Sequence, residues 1–181
     1  MKRTTKVAAS LSTVLVAAAM LATGVSAHDN GAAKTPPMGW SSWNAFWANI
    51  DEDLITDTAD AMVTYGLKDV GYEYVNLDDN WQSSERDENG RLQFDPIRFP
   101  HDGNWLSNYI HERGLKIGVY TSNGLYTCQD LPASEFRELC DATSFAEWEI
   151  DFFKYDYCHN VQLPATAYGI YGLKVAKPYT P

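Results

Sequence analysis

Four short apolar runs, set apart by helix-like segments, each end in side chains that can bind a polar ligand or do chemistry. These end groups are Trp43, Asp78 with Asp79, Tyr120, and Lys154 with Asp156. Strands that alternate with helices imply a parallel sheet with crossover helices. Polar groups gathered at the ends of several successive strands are what a (β/α)8 barrel presents at its catalytic face. An open doubly wound sheet also binds ligands at strand ends, but it usually carries a glycine-rich phosphate loop after its first strand. This sequence has none, so the fold class expected is α/β of the barrel type.

The periodicity supports that alternation. Leu54, Ile55, Thr58, Ala59, Met62 and Val63 recur at helical spacing, with Asp51, Glu52 and Asp53 near the positive helix start and Gly66 at its end. A strand over Tyr72–Leu77 follows, then a polar stretch, 83–98, with a turn at Asn89-Gly90 that reads as a surface loop or small hairpin. Trp105, Leu106, Tyr109 and Ile110 mark a second helix closed by Gly114, ahead of a strand over Leu115–Tyr120. A third helix is expected to centre on 141–148, with Asp141 as a cap. It feeds a strand over Ile150–Cys158, in which alternation puts Phe152, Lys154, Asp156 and Cys158 on one side and Phe153, Tyr155 and Tyr157 on the other. A lysine on the same side as a carboxylate favours the ionised form that a nucleophile needs.

The first 27 residues read as a secretory signal. Lys2, Arg3 and Lys6 precede an apolar stretch, and Val25-Ser26-Ala27 is a small-residue cleavage site. The expected product is therefore secreted and free of the membrane after cleavage, and it loses three positive charges from a chain whose formal charge is already −10. With no basic cluster, that balance argues against nucleic acid as a partner. Disulfides persist in an exported chain, and the odd count of Cys128, Cys140 and Cys158 leaves one thiol over.

Four motifs bring a family into view: Thr35-Pro36-Pro37-Met38-Gly39-Trp40-Ser41-Ser42-Trp43-Asn44, Gly71-Tyr72-Glu73-Tyr74-Val75-Asn76-Leu77-Asp78-Asp79-Asn80-Trp81, Gly114-Leu115-Lys116-Ile117-Gly118-Val119-Tyr120 and Lys154-Tyr155-Asp156-Tyr157-Cys158. In order and in register, they resemble family-27 glycoside hydrolases, the α-galactosidases and α-N-acetylgalactosaminidases. The resemblance runs from about Thr35 to Cys158. It implies retaining hydrolysis of a terminal α-galactoside, with no cofactor and no metal. Asp156 would be the nucleophile and Lys154 would bind sugar hydroxyls beside it. Asp78 and Asp79 would hold the O4 and O6 side of the sugar, Trp43 would form the aromatic wall, and Tyr120 would stand near the nucleophile. The resemblance also pairs Cys128 with Cys158, closing a loop for which chain entropy gives about 3 to 4 kcal/mol. A Cys128–Cys140 bridge is the competing arrangement.

The departures are specific. Ala48 and Asn80 stand where family members commonly have a second disulfide, Ser122 where many have aspartate, and Tyr157 where an asparagine is usual. Glu149 replaces a glycine that often ends the helix before the nucleophile strand. A retaining glycosidase also needs a second carboxyl group as acid and base. The resemblance places that group well downstream, and residues 159–181 contain no Asp or Glu. Since a whole barrel takes about 250 residues, the expectation is a signal peptide (1–27), the first half of a family-27-like barrel through its fourth strand (28–160), and a tail (161–181). The alternatives are a family-27 activity on β-L-arabinopyranosides or isomaltosyl units of dextran, and a fragment that binds sugar or is inactive.

Overall fold

A computed structural model describes residues 35–160; the signal segment and the tail expected above lie outside the described residues. Four strands, β1 (Gly39–Ser41), β2 (Tyr74–Asn76), β3 (Lys116–Ser122) and β4 (Phe152–Asp156), pair in parallel in the order β1-β2-β3-β4. That strictly sequential order is the winding of a barrel, because a doubly wound sheet reverses direction partway across. Between the strands lie α1 (Trp43–Phe46), α2 (Glu52–Thr64), a 3₁₀ turn (Lys68–Val70), α3 (Gly103–His111) and α4 (Glu138–Glu147).

The longer helices start and face as their sequences require. The Asp51 carboxylate accepts the Leu54 N–H at 2.9 Å, and the Asp102 carboxylate accepts the Trp105 N–H at 2.9 Å, each satisfying a donor of the first turn. Ile55, Ala59 and Met62 bury one stripe of α2, and Leu106 with Ile110 buries one stripe of α3. Both pack on the sheet through Val75, Leu77, Ile117 and Val119. Trp81 is fully buried, with its ring centroid 4.6 Å from Phe94 and 6.1 Å from Trp148. Gly103 is needed at this packing, since a Cβ there would stand 2.7 Å from Trp148 and 2.8 Å from Phe94.

Two expectations are corrected. The 83–98 stretch is hairpin-like, with Ser83 donating to the Gln93 carbonyl and Asp87 to the Arg91 carbonyl, but it is not only surface. Leu92 and Phe94 are core residues. The third helix begins at Glu138, and Asp141 is not its cap. Its carboxylate is buried and held by both terminal nitrogens of Arg86, at 2.6 and 2.8 Å. A buried carboxylate is better satisfied by a bidentate guanidinium than by a helix-start N–H, so the tertiary pair overrides local capping.

Glu149, between α4 and β4, has φ 56°, the left-handed region where a glycine carries no Cβ penalty. Its carboxylate is exposed and reaches only His111 Nδ1, at 3.9 Å, a weak surface contact. Replacing Glu149 with glycine is therefore expected to raise unfolding stability by about 1 kcal/mol. Denaturant titration would show it as a higher midpoint at unchanged slope.

Candidate active site at the strand ends

The register of the sheet explains which side chains meet. Tyr120 lies opposite Lys154 on β4, and Leu77, just past β2, donates to the Gly118 carbonyl of β3. Asp78 follows Leu77 and faces the same strand ends. There the Lys154 ammonium bonds both oxygens of Asp78, at 2.9 and 3.2 Å, and stands 3.8 Å from Asp156 Oδ2. It also lies 4.9 Å from the centroid of the Tyr120 ring. The Tyr120 hydroxyl donates to Asp156 Oδ2 at 3.2 Å, while the Tyr157 N–H donates to Asp156 Oδ1 at 2.8 Å. One cation thus serves two carboxylates. Asp78 is buried, whereas the Asp156 side chain is 35% exposed and open to an incoming ligand.

Asp78 and Asp79 are adjacent residues, and on a continuing strand they would point to opposite sides. They share this end of the sheet because β2 stops at Asn76 and the chain turns at Asn80, whose φ is 79°. Asp79 is buried. It accepts the Asn80 N–H at 2.8 Å and the Gln129 N–H at 3.0 Å. Burial is the largest influence on its carboxyl and raises its pKa above the ordinary 3.8, with the negative charge of Asp78 adding to it. Hydrogen bonds from Thr127 and the two backbone N–H groups oppose the rise. Burial also raises the Tyr120 phenol, and the charges of Asp79 and Asp156 raise it further, so it remains a donor.

The raised Asp79 value has a sign that can be checked. The folded carboxyl keeps its proton to higher pH than the unfolded one. Its contribution to stability is therefore fully present below about pH 3.8 and is lost as pH rises through the folded value. The unfolding free energy of Asp79→Asn minus that of the parent chain is thus expected to grow between pH 4 and pH 7. Denaturant midpoints measured across that range would test it, and a constant difference would contradict the shift.

Cys128 and Cys158 are bonded, with Cα atoms 5.1 Å apart, and Cys140 is a free thiol, so the pairing that the resemblance implied stands over its Cys128–Cys140 rival. The bridge fixes the loop after β3 to the end of β4, one residue beyond Tyr157. Ser122, at the position where aspartate was expected, strengthens the same junction. Its hydroxyl accepts the Cys158 N–H at 2.9 Å and donates to the Cys158 carbonyl at 3.0 Å. Gly124 lies so close to the Cys158 carbonyl that no Cβ would fit.

Trp43 stands on the first turn of α1 rather than on a strand, half-buried at the end of β1, with its ring nearly parallel to that of Trp47. Three contributors escaped sequence reasoning. The buried Ser42 hydroxyl accepts the Asp78 N–H at 2.9 Å, and Thr127 and Gln129 hold Asp79. Ser42 lies within a quoted motif and beside Trp43, a position that could have flagged it. The Gln129 contact uses a backbone N–H and leaves no mark in the sequence.

Comparison with known proteins places the chain in a family and a fold. The profile of the family described as Alpha galactosidase A, Melibiase_2, matches residues 35–179, an interval that runs past Cys158. Alpha-galactosidase 3 of Arabidopsis thaliana is 48% identical over 133 residues, covering 74% of this chain and 30% of the relative. The crystal structure of alpha-galactosidase I from Mortierella vinacea superposes with a TM-score of 0.72 at 45% identity, covering 79% of this chain and 37% of that one. The alpha-galactosidase of Saccharomyces cerevisiae with raffinose gives a TM-score of 0.72 at 41% identity, over 78% and 32% of the two chains. The chain thus spans about a third of the length of the curated relatives it matches.

Proposed function

The chain belongs to the alpha-galactosidase family of glycoside hydrolases, and from that membership we propose that it carries the nucleophile half of an exo-α-galactosidase site. The observation that carries the proposal is Lys154 set between Asp78 and Asp156 at the ends of β2 and β4. Asp156 attacks the anomeric carbon of a terminal galactosyl residue, and the glycosidic oxygen leaves with a proton from a second carboxylic acid. Water then releases the sugar with retained configuration. Lys154 and the Tyr120 hydroxyl compensate and orient the attacking carboxylate. Asp78 and Asp79 accept the hydroxyls of a galacto-configured ring, since anionic acceptors select hydroxyl geometry by charge-assisted bonds. Trp43 covers the ring's C–H face. The acid partner belongs to a downstream segment of the barrel, and the Cys128–Cys158 bridge holds the nucleophile strand. The protein acts outside the cell, after signal cleavage between residues 27 and 28.

A panel of nitrophenyl glycosides tests this reading in the protein that carries both carboxyl groups, since nitrophenolate departs with little help from an acid but water needs a base to release the glycosyl ester. The α-D-galactoside is expected to be hydrolysed fastest, with the α-anomer of galactose appearing first in the NMR spectrum. A faster β-L-arabinopyranoside or isomaltosyl substrate, or β-galactose as the first product, would overturn the assignment.

A further inference from the structure

One sulfur of the Cys128–Cys158 bridge touches the carboxylate assigned as nucleophile. Cys128 Sγ stands 3.8 Å from Asp156 Oδ2 and 3.4 Å from the Tyr120 hydroxyl, which bonds that same oxygen at 3.2 Å. The ligand atoms of Cys128, Asp156 and Cys158 all lie within 4.8 Å of one another, and Cys128 is exposed. Bonded to each other, the two sulfurs are neutral and poor metal ligands, whereas as thiolates they are strong ones. A tetrahedral zinc ion on two thiolates and a carboxylate sets its sulfurs about 3.8 Å apart and its oxygen about 3.6 Å from each. The Cys128–Asp156 separation is already close to that length.

Both cysteines are also placed by bonds other than their own. The Ser122 hydroxyl holds the Cys158 N–H at 2.9 Å and its carbonyl at 3.0 Å, and the Asn123 N–H donates to the Asp156 carbonyl at 3.0 Å. Cys128 sits between Thr127, whose N–H donates to the Leu131 carbonyl at 2.8 Å, and Gln129, whose N–H donates to Asp79 at 3.0 Å. Opening the bridge therefore leaves two thiols facing each other beside Asp156. Lys154 opposes a second cation there, but it bonds Asp78 at 2.9 Å and lies 3.8 Å from Asp156, so two thiolates and two carboxylates outnumber it.

We propose that reduction of the Cys128–Cys158 bridge uncovers a zinc site made of two thiolates and the Asp156 carboxylate, and that zinc there takes the nucleophile out of use. A dithiol supplies the two electrons: the sulfur–sulfur bond breaks, the dithiol closes its own disulfide, and its two protons pass to Cys128 and Cys158. Zinc displaces those protons to solvent as it binds the sulfurs. Three protein ligands leave the fourth tetrahedral position to water. With Asp156 Oδ2 on the metal and Oδ1 held by the Tyr157 N–H, neither oxygen is free to attack carbon. The ion site stands by itself, and its effect on the nucleophile rests on the galactosyl reading above.

The test uses the Cys140→Ser chain, which lacks the free thiol, so that only the bridge sulfurs respond. It is titrated oxidised, and again after reduction by a dithiol that is removed without oxygen. The reduced form is expected to bind one zinc ion at least about a hundredfold more tightly than the oxidised form, and cobalt in its place should give a thiolate-to-metal absorption band. Adding Asp156→Asn should weaken zinc at least about tenfold and keep that band. Equal affinity in the oxidised and reduced forms would overturn the site, and equal affinity after Asp156→Asn would remove the carboxylate from it. Loss of the native circular dichroism on reduction without zinc would overturn it as well, because the remaining hydrogen bonds would not be holding the sulfurs. Zinc should also stop a galactosyl fluoride from esterifying Asp156 in the reduced form alone, and esterification that continued in the zinc-loaded form would contradict the block. If Asp156 were not esterified even without zinc, the galactosyl reading would fail while the zinc site stood.

Discussion

Replacing Arg86 with alanine is expected to lower unfolding stability by about 3 to 5 kcal/mol. The reason lies in what the guanidinium holds. Its two terminal nitrogens take both Asp141 oxygens, and they also donate to the Gly90 carbonyl at 2.8 Å and the Ala133 carbonyl at 2.7 Å. One side chain thereby joins the hairpin after β2, the loop after β3 and the first turn of α4. The Asp141 side chain is 2% exposed, so removing its partner strands a charge away from water. Lysine should rescue poorly, because an ammonium cannot bond both carboxylate oxygens and two carbonyls in that planar arrangement. Asp141→Asn should cost less than Arg86→Ala, since it removes the buried charge as well as weakening the pair. Chemical denaturation of the three variants checks this; an Arg86→Ala midpoint equal to that of the parent chain would contradict it.

The second large effect concerns rate rather than stability. Asp156→Ala is expected to reduce galactoside hydrolysis by at least about 10⁴-fold, because no covalent intermediate can form without the attacking oxygen. Folding should change by less than about 1 kcal/mol, since Lys154 keeps its closer partner, Asp78, and Asp156 is partly exposed. Lys154→Ala should behave differently. It leaves the buried Asp78 without its cation and should lose stability and sugar affinity together. That contrast separates a nucleophile from a structural ion pair at a strand end, because only the former loses rate with its fold intact.

The strand-end cluster was legible from the sequence because alternation along a strand is strict. Lys154 and Asp156 had to share a side, and the parallel register then brings Tyr120 and Asp78 to them. The paired aspartates were legible only in part. Their meeting at one end of the sheet depends on β2 ending at Asn76 and on the left-handed turn at Asn80, which no periodicity announces. Leu92 and Phe94 sat among polar neighbours with neither helical nor strand spacing, and so read as surface. Their burial follows from Trp81, whose ring needs partners that the adjacent helix alone does not supply. Asp141 looked like a cap because Asp commonly is one, and Arg86, 55 residues earlier, decided otherwise. Glu149 was legible as a substitution for glycine, and the positive φ follows from the same tight passage into β4.

The central claim, that Asp156 is the attacking carboxylate of a galactosyl site, is tested most directly by trapping it. A fluorinated galactosyl fluoride reacts as the carboxylate oxygen bonds to the anomeric carbon and fluoride departs, with no proton needed by the leaving group. Digestion and mass spectrometry then locate the sugar. One galactosyl ester on the peptide that contains Asp156, suppressed by free galactose and absent from Asp156→Ala, is the predicted result. An ester on Asp78, Asp79 or another carboxylate, or labelling that persists in Asp156→Ala, would contradict the account.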